Sequence, residues 1–385
     1  MRAPAEVLFW LCAGLLVYTQ LGYGALLLGL DRLRARRSAP PRQWTAATAE
    51  GEQPTVSLII AAYQEEGVIA GKVANARALH YPPDRLEVVV ACDGSPDATA
   101  RLAREAGADR VLELERGGKI RAQDTAVARS RGDIVAFSDA NASWELDALR
   151  ELVAPFAARD VGYVCGQVRF VGAGGANQEG AYWRYEMALR AMESRLASIT
   201  AGNGAIYATR REAYLVVDPV MGHDLSFPFN MVKRGWRAVY ASRARATEPM
   251  VPSLEGEFAR KRRMMAHTWA IIVRGSLLDP RGYGALYSVM ILSHRVLRYA
   301  SPFLHLLALA SCAVAVAAGA GWLVVLCLGV QLALLIAAVL ARWLPWRVLL
   351  LTRYYVLTTA SVAAGLWDWL RRGTEAGWEP AEGTR

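Results

Sequence analysis

Paired cysteines are missing from this sequence. Its five cysteines are scattered through 385 residues with no CxxC pair, which leaves no case for a disulfide framework or a zinc site. A phosphate loop of the Walker type is missing too. Lys119 in "RGGKIRAQDTAV" is not followed by Ser or Thr, and the outer glycine spacing is absent. "GAGGAN", from Gly172, lacks the third glycine of the dinucleotide fingerprint and reads as a loop. No internal repeat or low-complexity tract occurs. The strongest apolar segments carry no Asp, Glu or Lys, which argues against a transporter.

What the chain has in excess is apolar sequence. It is 54% hydrophobic with a mean hydropathy of +0.18, and the excess lies at its two ends. Val7 to Leu30 is long enough to cross about 30 Å of hydrocarbon. It runs straight into "DRLRARR" without a small-residue cleavage site, so it reads as an uncleaved membrane helix rather than a signal peptide. Tyr299 to Gly319 and Trp322 to Trp343 read as further spans, and Leu349 to Leu366 is a weaker one. Arg32, Arg34, Arg36, Arg37 and Arg42 outweigh Arg2 across the first span, which puts the central part in the cytoplasm. The same rule conflicts at the far end. If every candidate spans, Arg342, Arg347 and Arg353 fall on one side, and Arg371 and Arg372 on the other. Leu349 to Leu366 is then interfacial or re-entrant, or Ala285 to Leu297 enters the membrane. The formal charge of +9 flanks apolar segments, which points to anionic lipid and not to nucleic acid.

Between the ends, short apolar runs alternate with helical patterns, the mark of a parallel α/β sheet. Val56 to Ala61, Leu86 to Ala91 and Ile134 to Phe137 are expected strands. They end in "AYQEEG", "CDGSPDAT" and "SDAN", polar clusters at the edge where open α/β sheets bind ligands. Asp139 by itself reads either as a ligand residue or as part of a turn ahead of a helix. In that helix Leu146, Leu149, Val153 and Phe156 recur at helical spacing, with Ser143 as the expected N-cap. Asp93 is left at its strand end while Ser95 or Asp97 caps the next helix.

In their order, "AAYQEEG", "VVACDGS", "GGKIRAQDTA", "FSDAN", "TAGNGAIYATRR", "GHDLSFPFNMVKRGWR" and "RKRRM" resemble membrane-bound family 2 glycosyltransferases of GT-A fold, relatives of the processive polysaccharide synthases. The resemblance runs from about Val56 to Met264. It implies an α/β GT-A domain at 55–275, preceded by a transmembrane helix at 1–31 and a basic linker at 32–54. An interfacial region at 276–298, C-terminal transmembrane helices at 299–370 and a tail at 371–385 follow. By the same resemblance Ala62, Tyr63, Glu65, Asp93, Lys119 and Asp139 hold the nucleotide of a sugar-nucleotide donor. Asp139 and Asn141 take the positions that hold a divalent cation, Mg²⁺ or Mn²⁺, against the diphosphate. This chain has an amide at Asn141 where the family pattern has a carboxylate.

Further along, the resemblance makes Asp224 the general base, with Gly202, Asn203 and Gly204 on the acceptor side. Arg260 and Arg263 become a diphosphate clamp. Taken without it, Asp224 is a helix cap, the glycines are a turn, and the basic run is a lipid-binding surface. Met264 stands where processive members have tryptophan, which leaves polymer synthesis open; Trp269 is nearby in sequence. Ala285 to Arg298 reads as an interfacial helix. The expected protein is an inverting, multi-pass glycosyltransferase of the plasma membrane with a cytoplasmic catalytic domain. Its expected partners are a nucleotide-sugar donor (UDP-linked first), a glycan or lipid-linked acceptor, the bilayer and other polysaccharide-assembly proteins. Transfer to polyprenyl phosphate and a non-catalytic nucleotide-sugar-binding subunit are the alternatives.

Overall fold

The computed structural model describes residues 1–37, 53–171, 180–249, 254–344, 346–374 and 376. They fall into two units. Met1–Leu28, Ser253–Trp269 and Val289–Gly373 form a helical unit, and Gly29–Pro252, Ala270–Ser288 and Thr374–Arg385 form an α/β unit. The segment "GAGGAN" and most of the linker after Arg37 lie outside the described residues.

In the α/β unit, β1 (Val56–Ala62), β2 (Leu86–Asp93) and β4 (Ile134–Asp139) are the expected strands, each one or two residues longer than the apolar run. Their β-branched runs suit strands covered on both faces. One further strand completes the parallel half: β3 (Arg110–Leu114) pairs with β2, and β1 lies between β2 and β4. The eight-stranded sheet has the order β3-β2-β1-β4-β7-β6-β8-β5. Here β5 is Ser143–Trp144, β6 Val161–Val171, β7 Tyr207–Arg210 and β8 Arg237–Pro249. The strands from β7 onward include antiparallel pairings.

Alternation along β1 divides the core. Leu58 and Ile60 pack on one face with α3 (Ile69–Arg77), α4 (Thr99–Glu105) and α6 (Ala148–Val153), while Ile59 faces α5 (Lys119–Arg129) and α8 (His223–Lys233) on the other. The long α7 (Ala181–Leu196) lies between β6 and β7 in the chain. Because β1 has parallel neighbours on both sides, the chain reverses its direction of winding here. A crevice therefore opens beyond the carboxyl ends of β1, β2 and β4.

The Ser143 cap is not formed. Ser143 and Trp144 are drawn into the sheet against Thr247 and Ala246 of β8, and Trp144 is buried with its indole N–H donating to Ala205 O at 3.0 Å. The helix starts only at Ala148, and Leu146 is exposed. Burying an indole outweighs a cap worth about 1 kcal/mol.

The helical unit begins with α1 (Arg2–Val17), a π-turn at Tyr18–Gly22, and the first residues of α2 (Tyr23–Arg37). The other elements are α9 (Leu254–Arg274) as far as Trp269, α10 (Ala285–Met290) from Val289, α11 (Leu297–Ala317), α12 (Trp322–Leu340) and α13 (Arg347–Arg372). The segment expected to be interfacial is continuous with α11 through a π-turn at Ile291–Val296. Phe9 and Cys12 of α1 pack with the small residues Ala308, Cys312 and Ala315 of α11, a pairing that close-packed membrane helices favour. Among the described residues, four helical runs are long and apolar enough to cross a membrane.

One backbone contact fixes how the parallel strands begin. A Cβ added at Gly132 would lie 2.3 Å from Ser57 N and 2.6 Å from Val56 C. Gly132→Ala should therefore destabilise the α/β unit by about 1–3 kcal/mol, the usual cost of overpacking. A lowered denaturant midpoint of the full chain in detergent, at unchanged slope, is the expected result.

Candidate active site

The loops after β1 and β2 are laced together before any ligand is considered. Gln64 N donates to Ser95 Oγ at 2.8 Å and Glu65 N to Thr99 Oγ1 at 2.9 Å. Asp97 accepts from Thr99 N at 3.2 Å and from its hydroxyl at 2.6 Å. Neither candidate occupies the N-cap position, which is Ala98; Asp97 takes the first N–H of α4, and Ser95 ties the loops. Ala62 and Glu65 are buried, and Tyr63 is half-buried.

Asp93 is only 1% exposed. Its carboxylate accepts from Gly117 N at 2.7 Å, from Gly118 N at 3.0 Å and from Arg116 Nη1 at 2.9 Å. Asp93 thus shapes the "RGGK" loop instead of standing open at its strand end. Gly94 makes this possible: its φ is +67°, and an added Cβ would meet Arg116 N at 2.8 Å. Arg116 also lies 3.3 Å above the Tyr63 ring, so Tyr63, Arg116 and Asp93 form one connected group. Arg116 was not singled out in the sequence; its place before two glycines was the available signal.

Lys119 opens α5 directly after that loop, and its ammonium bonds to Asp139 Oδ1. Asp139 is the last residue of β4 and opens a turn closed by Ala142 N on Asp139 O at 3.2 Å. A Cβ on Gly204 would lie 3.3 Å from Lys119 Nζ and 3.6 Å from Asp139 Oδ2, so Gly204 sits against this pair. The charges of Asp139, Glu248 and Asp224 hold the Lys119 pKa above its usual value against the opposing effect of burial, the largest single influence. Asn141, half-exposed in the turn, makes no hydrogen bond within the described residues.

Two residues beneath this turn went unread in the sequence. Lys72, 4% exposed, donates to Ala142 O at 2.7 Å and lies 5.1 Å from the Trp144 ring centroid. Asn75, one turn on, pairs with the Trp144 backbone through both amide atoms at 2.9 Å. Lys72 occupies the buried stripe of α3 with Ile69, Val73 and Ala76. A lysine on an apolar stripe was the clue.

Asp224 lies in the first turn of α8, half-exposed, and its carboxylate has no hydrogen-bond or ion-pair partner among the described residues. It folds back over Gly222, where an added Cβ would be 2.7 Å from Oδ1. Its backbone oxygen accepts from Gly202 N at 2.6 Å. His223 beside it is buried. It stacks on Phe227 at 3.9 Å, with Nδ1 2.8 Å from Tyr207 Oη. Burial, helped by the charge of Lys119, pushes its pKa well below the usual value. His223 is therefore a neutral support, and Asp224 is the free carboxylate.

Asn203 spends its whole amide on the turn, giving Nδ2 to Gly166 O at 2.8 Å and taking Ile206 N at 2.9 Å on Oδ1. A Cβ on Gly202 would collide with Tyr163 Oη at 2.0 Å. These two build the turn, and Gly204 is the member that reaches the polar groups.

The basic run lies on α9 in the helical unit. Arg260 pairs with Glu257 at 2.9 Å, and Arg263 is exposed. Trp269 belongs to the helical unit as well, its indole donating to Val362 O at 2.9 Å.

No three His, Cys, Asp or Glu side chains gather as metal ligands among the described residues. Asp139 and Asn141 offer one carboxylate and one amide on a single turn. That set fits a hard cation drawing its remaining ligands from a diphosphate and water, and does not fit a cage holding the ion by itself.

The chain is similar to known proteins over much of this domain. A family model described as glycosyl transferase family 2 matches residues 57–215. Beta-monoglucosyldiacylglycerol synthase of Synechocystis sp. is 32% identical over 219 residues, which is 51% of this chain and 42% of that protein. N-acetylglucosaminyltransferase of Rhizobium meliloti is 27% identical over 245 residues, covering 56% of this chain and 57% of that one. The chain thus spans less than two thirds of the length of either relative. The solved mannosyltransferase PcManGT from Pyrobaculum calidifontis, in complex with GDP-Man and Mn²⁺, superposes with a TM-score of 0.69 at 25% identity. That match covers 94% of this chain and 99% of that one.

Lys72 gives the site a measurable pH signature. Burial pulls its pKa down from 10.5 to about 7, partly offset by Asp139 and Glu248. Between those values the unfolded chain holds a proton that the folded chain has lost, so stability rises with pH there, by at most about 1.4 kcal/mol per unit. Lys72→Met should lack that rise. Unfolding midpoints at pH 6.5 and pH 9.5 test it, and parallel pH dependences would refute the assignment.

Proposed function

We propose, for a chain whose residues 57–215 form a glycosyl transferase family 2 domain of GT-A fold, an inverting transfer from a nucleotide-diphosphate sugar to a lipid-linked acceptor. The observation carrying this reading is the unpaired Asp224 carboxylate at a helix start, electrostatically coupled to the Lys119–Asp139 pair. An attacking hydroxyl needs a base within reach of its proton, and a departing nucleoside diphosphate needs cations. Both requirements are met by groups on neighbouring strand ends and helix starts.

In the proposed reaction the acceptor oxygen attacks the anomeric carbon in line, and its proton passes to Asp224. The bond from that carbon to the diphosphate oxygen breaks, inverting the anomeric configuration. Lys119 takes up charge developing on the diphosphate as a compact point charge. Tyr63, Arg116 and the loop shaped by Asp93 bind the nucleoside. A divalent cation, Mg²⁺ or Mn²⁺, held by Asp139 with Asn141, would add Lewis-acid stabilisation of the leaving group. The complex of the mannosyltransferase with GDP-Man and Mn²⁺ supports a cation in this fold.

A lipid acceptor is supported by the helices long enough to cross a membrane and by the similarity to the Synechocystis beta-monoglucosyldiacylglycerol synthase. Arg32, Arg34 and Arg36 after the first span favour a cytoplasmic catalytic unit in the plasma membrane. UDP-sugars are the first donors to try, and GDP-sugars the second.

Purified chain in detergent, with UDP- and GDP-sugars, diacylglycerol or polyprenyl phosphate, and Mg²⁺, Mn²⁺ or chelator, should yield a glycolipid of inverted anomeric configuration. Asp224→Asn should lower turnover about 10²–10⁴-fold while leaving donor affinity near that of the wild type. A wild type that binds donors yet is as inert as the variant would instead establish a non-catalytic binding subunit.

A further inference from the structure

Helix α13 has the length and hydropathy to cross a bilayer, but its partners are those of a helix at a surface. Within the helical unit it runs beside α9. Arg353 pairs with Glu255 at 3.0 Å. Lys261 donates to Tyr354 at 2.9 Å and Thr358 at 3.3 Å, and Trp269 donates to Val362 O at 2.9 Å. Arg262 grips Asp368 through two bonds of 2.5 and 2.6 Å. At Gly365 the backbones nearly touch, since an added Cβ would be 2.5 Å from Met265 Cβ and 2.8 Å from Arg262 O. From Arg353 to Asp368 the shared length is about 22 Å at 1.5 Å per residue.

That partner cannot follow α13 through hydrocarbon. Between Glu255 and Trp269, α9 carries Glu255, Glu257, Arg260, Lys261, Arg262 and Arg263, and charges at membrane depth are costly. Two bonds from α13 to α11 and α12 also fall in its first part. Arg353 reaches Ala338 O near the end of α12 at 3.4 Å, and Tyr355 Oη lies 2.8 Å from His305 Nε2. Beyond Tyr355, the bonds of Thr358, Val362 and Asp368 go to α9. A helix crossing antiparallel to α12 would carry these residues toward the start of α12 instead.

The outer face of α13 tells what covers it. Val348, Leu351, Tyr355, Trp367 and Leu370 are exposed along one side, with Arg347, Arg371 and Arg372 at the ends. Apolar stripe, aromatic residues and flanking arginines make up an interfacial helix that favours anionic lipid. We propose that α13 lies in the plane of the membrane–water interface, its stripe on anionic phospholipid, and does not cross the bilayer. Arg342, Arg347, Arg353, Arg371 and Arg372 then all lie on one side, and the conflict between the basic groups disappears. The inference rests on the membrane reading given under Proposed function.

The test uses full-length chain in sealed vesicles rich in phosphatidylglycerol, with Cys327→Ser to remove the half-exposed native thiol. Single cysteines are introduced as Arg372→Cys, Arg131→Cys in the catalytic unit, and Gly321→Cys between α11 and α12. An impermeant maleimide should label Arg372→Cys from the same side as Arg131→Cys, with Gly321→Cys labelled from the other. Labelling of Arg372→Cys with Gly321→Cys overturns the proposal. Labelling of all three from one side overturns the spanning of α11 and α12, and so the membrane reading itself. Nitroxides at Leu351, Thr359 and Leu370 give a second measure. A uniform shallow depth is expected, and a Thr359 label about 12 Å deeper than Leu351 would mean that α13 spans.

Discussion

The ion pair between Lys119 and Asp139 is the joint on which the α/β unit turns its chemistry. It connects the first residue of α5 to the last residue of β4, two elements that approach only because β1 and β4 are parallel neighbours. Charges brought out of water this way are tolerable only in company. Lys119 has Asp139 as its direct partner and feels Glu248 and Asp224 as well. The arrangement keeps a cation where a diphosphate would leave, with a second carboxylate, Asp224, uncommitted.

Holding that joint requires rigid loops, and the chain obtains them by spending polar side chains on backbone. Asp93 folds the Arg116–Gly118 loop that delivers Lys119. Lys72 and Asn75 hold the turn that follows Asp139 from below, and the Trp144 indole ties that turn to Ala205, next to Gly204. Several residues expected to touch ligands, Asp93 and Asn203 above all, are thus occupied in shaping the loops of residues that can. Buried polar groups fully satisfied in this way fix one geometry.

Three strands of the parallel half, β1, β2 and β4, were legible because they are short apolar runs ending in polar clusters, whereas β3, "RVLEL", carries charges and was not. The half containing β6, β7 and β8 was not. Its strands alternate or carry charges, as in "RAVYASRARATEP", and their pairings join residues far apart in sequence. Ser143 misled for a related reason: local cap preference is worth little beside the burial of Trp144. Asp139, Lys119 and Asp224 were legible through the order of their motifs. Lys72 was hidden because a helix one-third charged or polar draws no notice until the buried stripe is traced through it.

The amide at Asn141 alters how cation and donor must depend on each other. With one carboxylate on the turn, and that carboxylate already bonded to Lys119, little charge is left to hold a divalent ion without the donor. The diphosphate resolves this by offering oxygens to the ion and a new anionic partner to Lys119. On the proposed reaction, ion and donor would favour each other's binding, because each supplies what the other lacks, and linkage would make that coupling reciprocal. A second carboxylate at 141 would weaken the dependence by holding the ion beforehand. On the proposed reaction, the amide at Asn141 would tie the cation to the presence of donor.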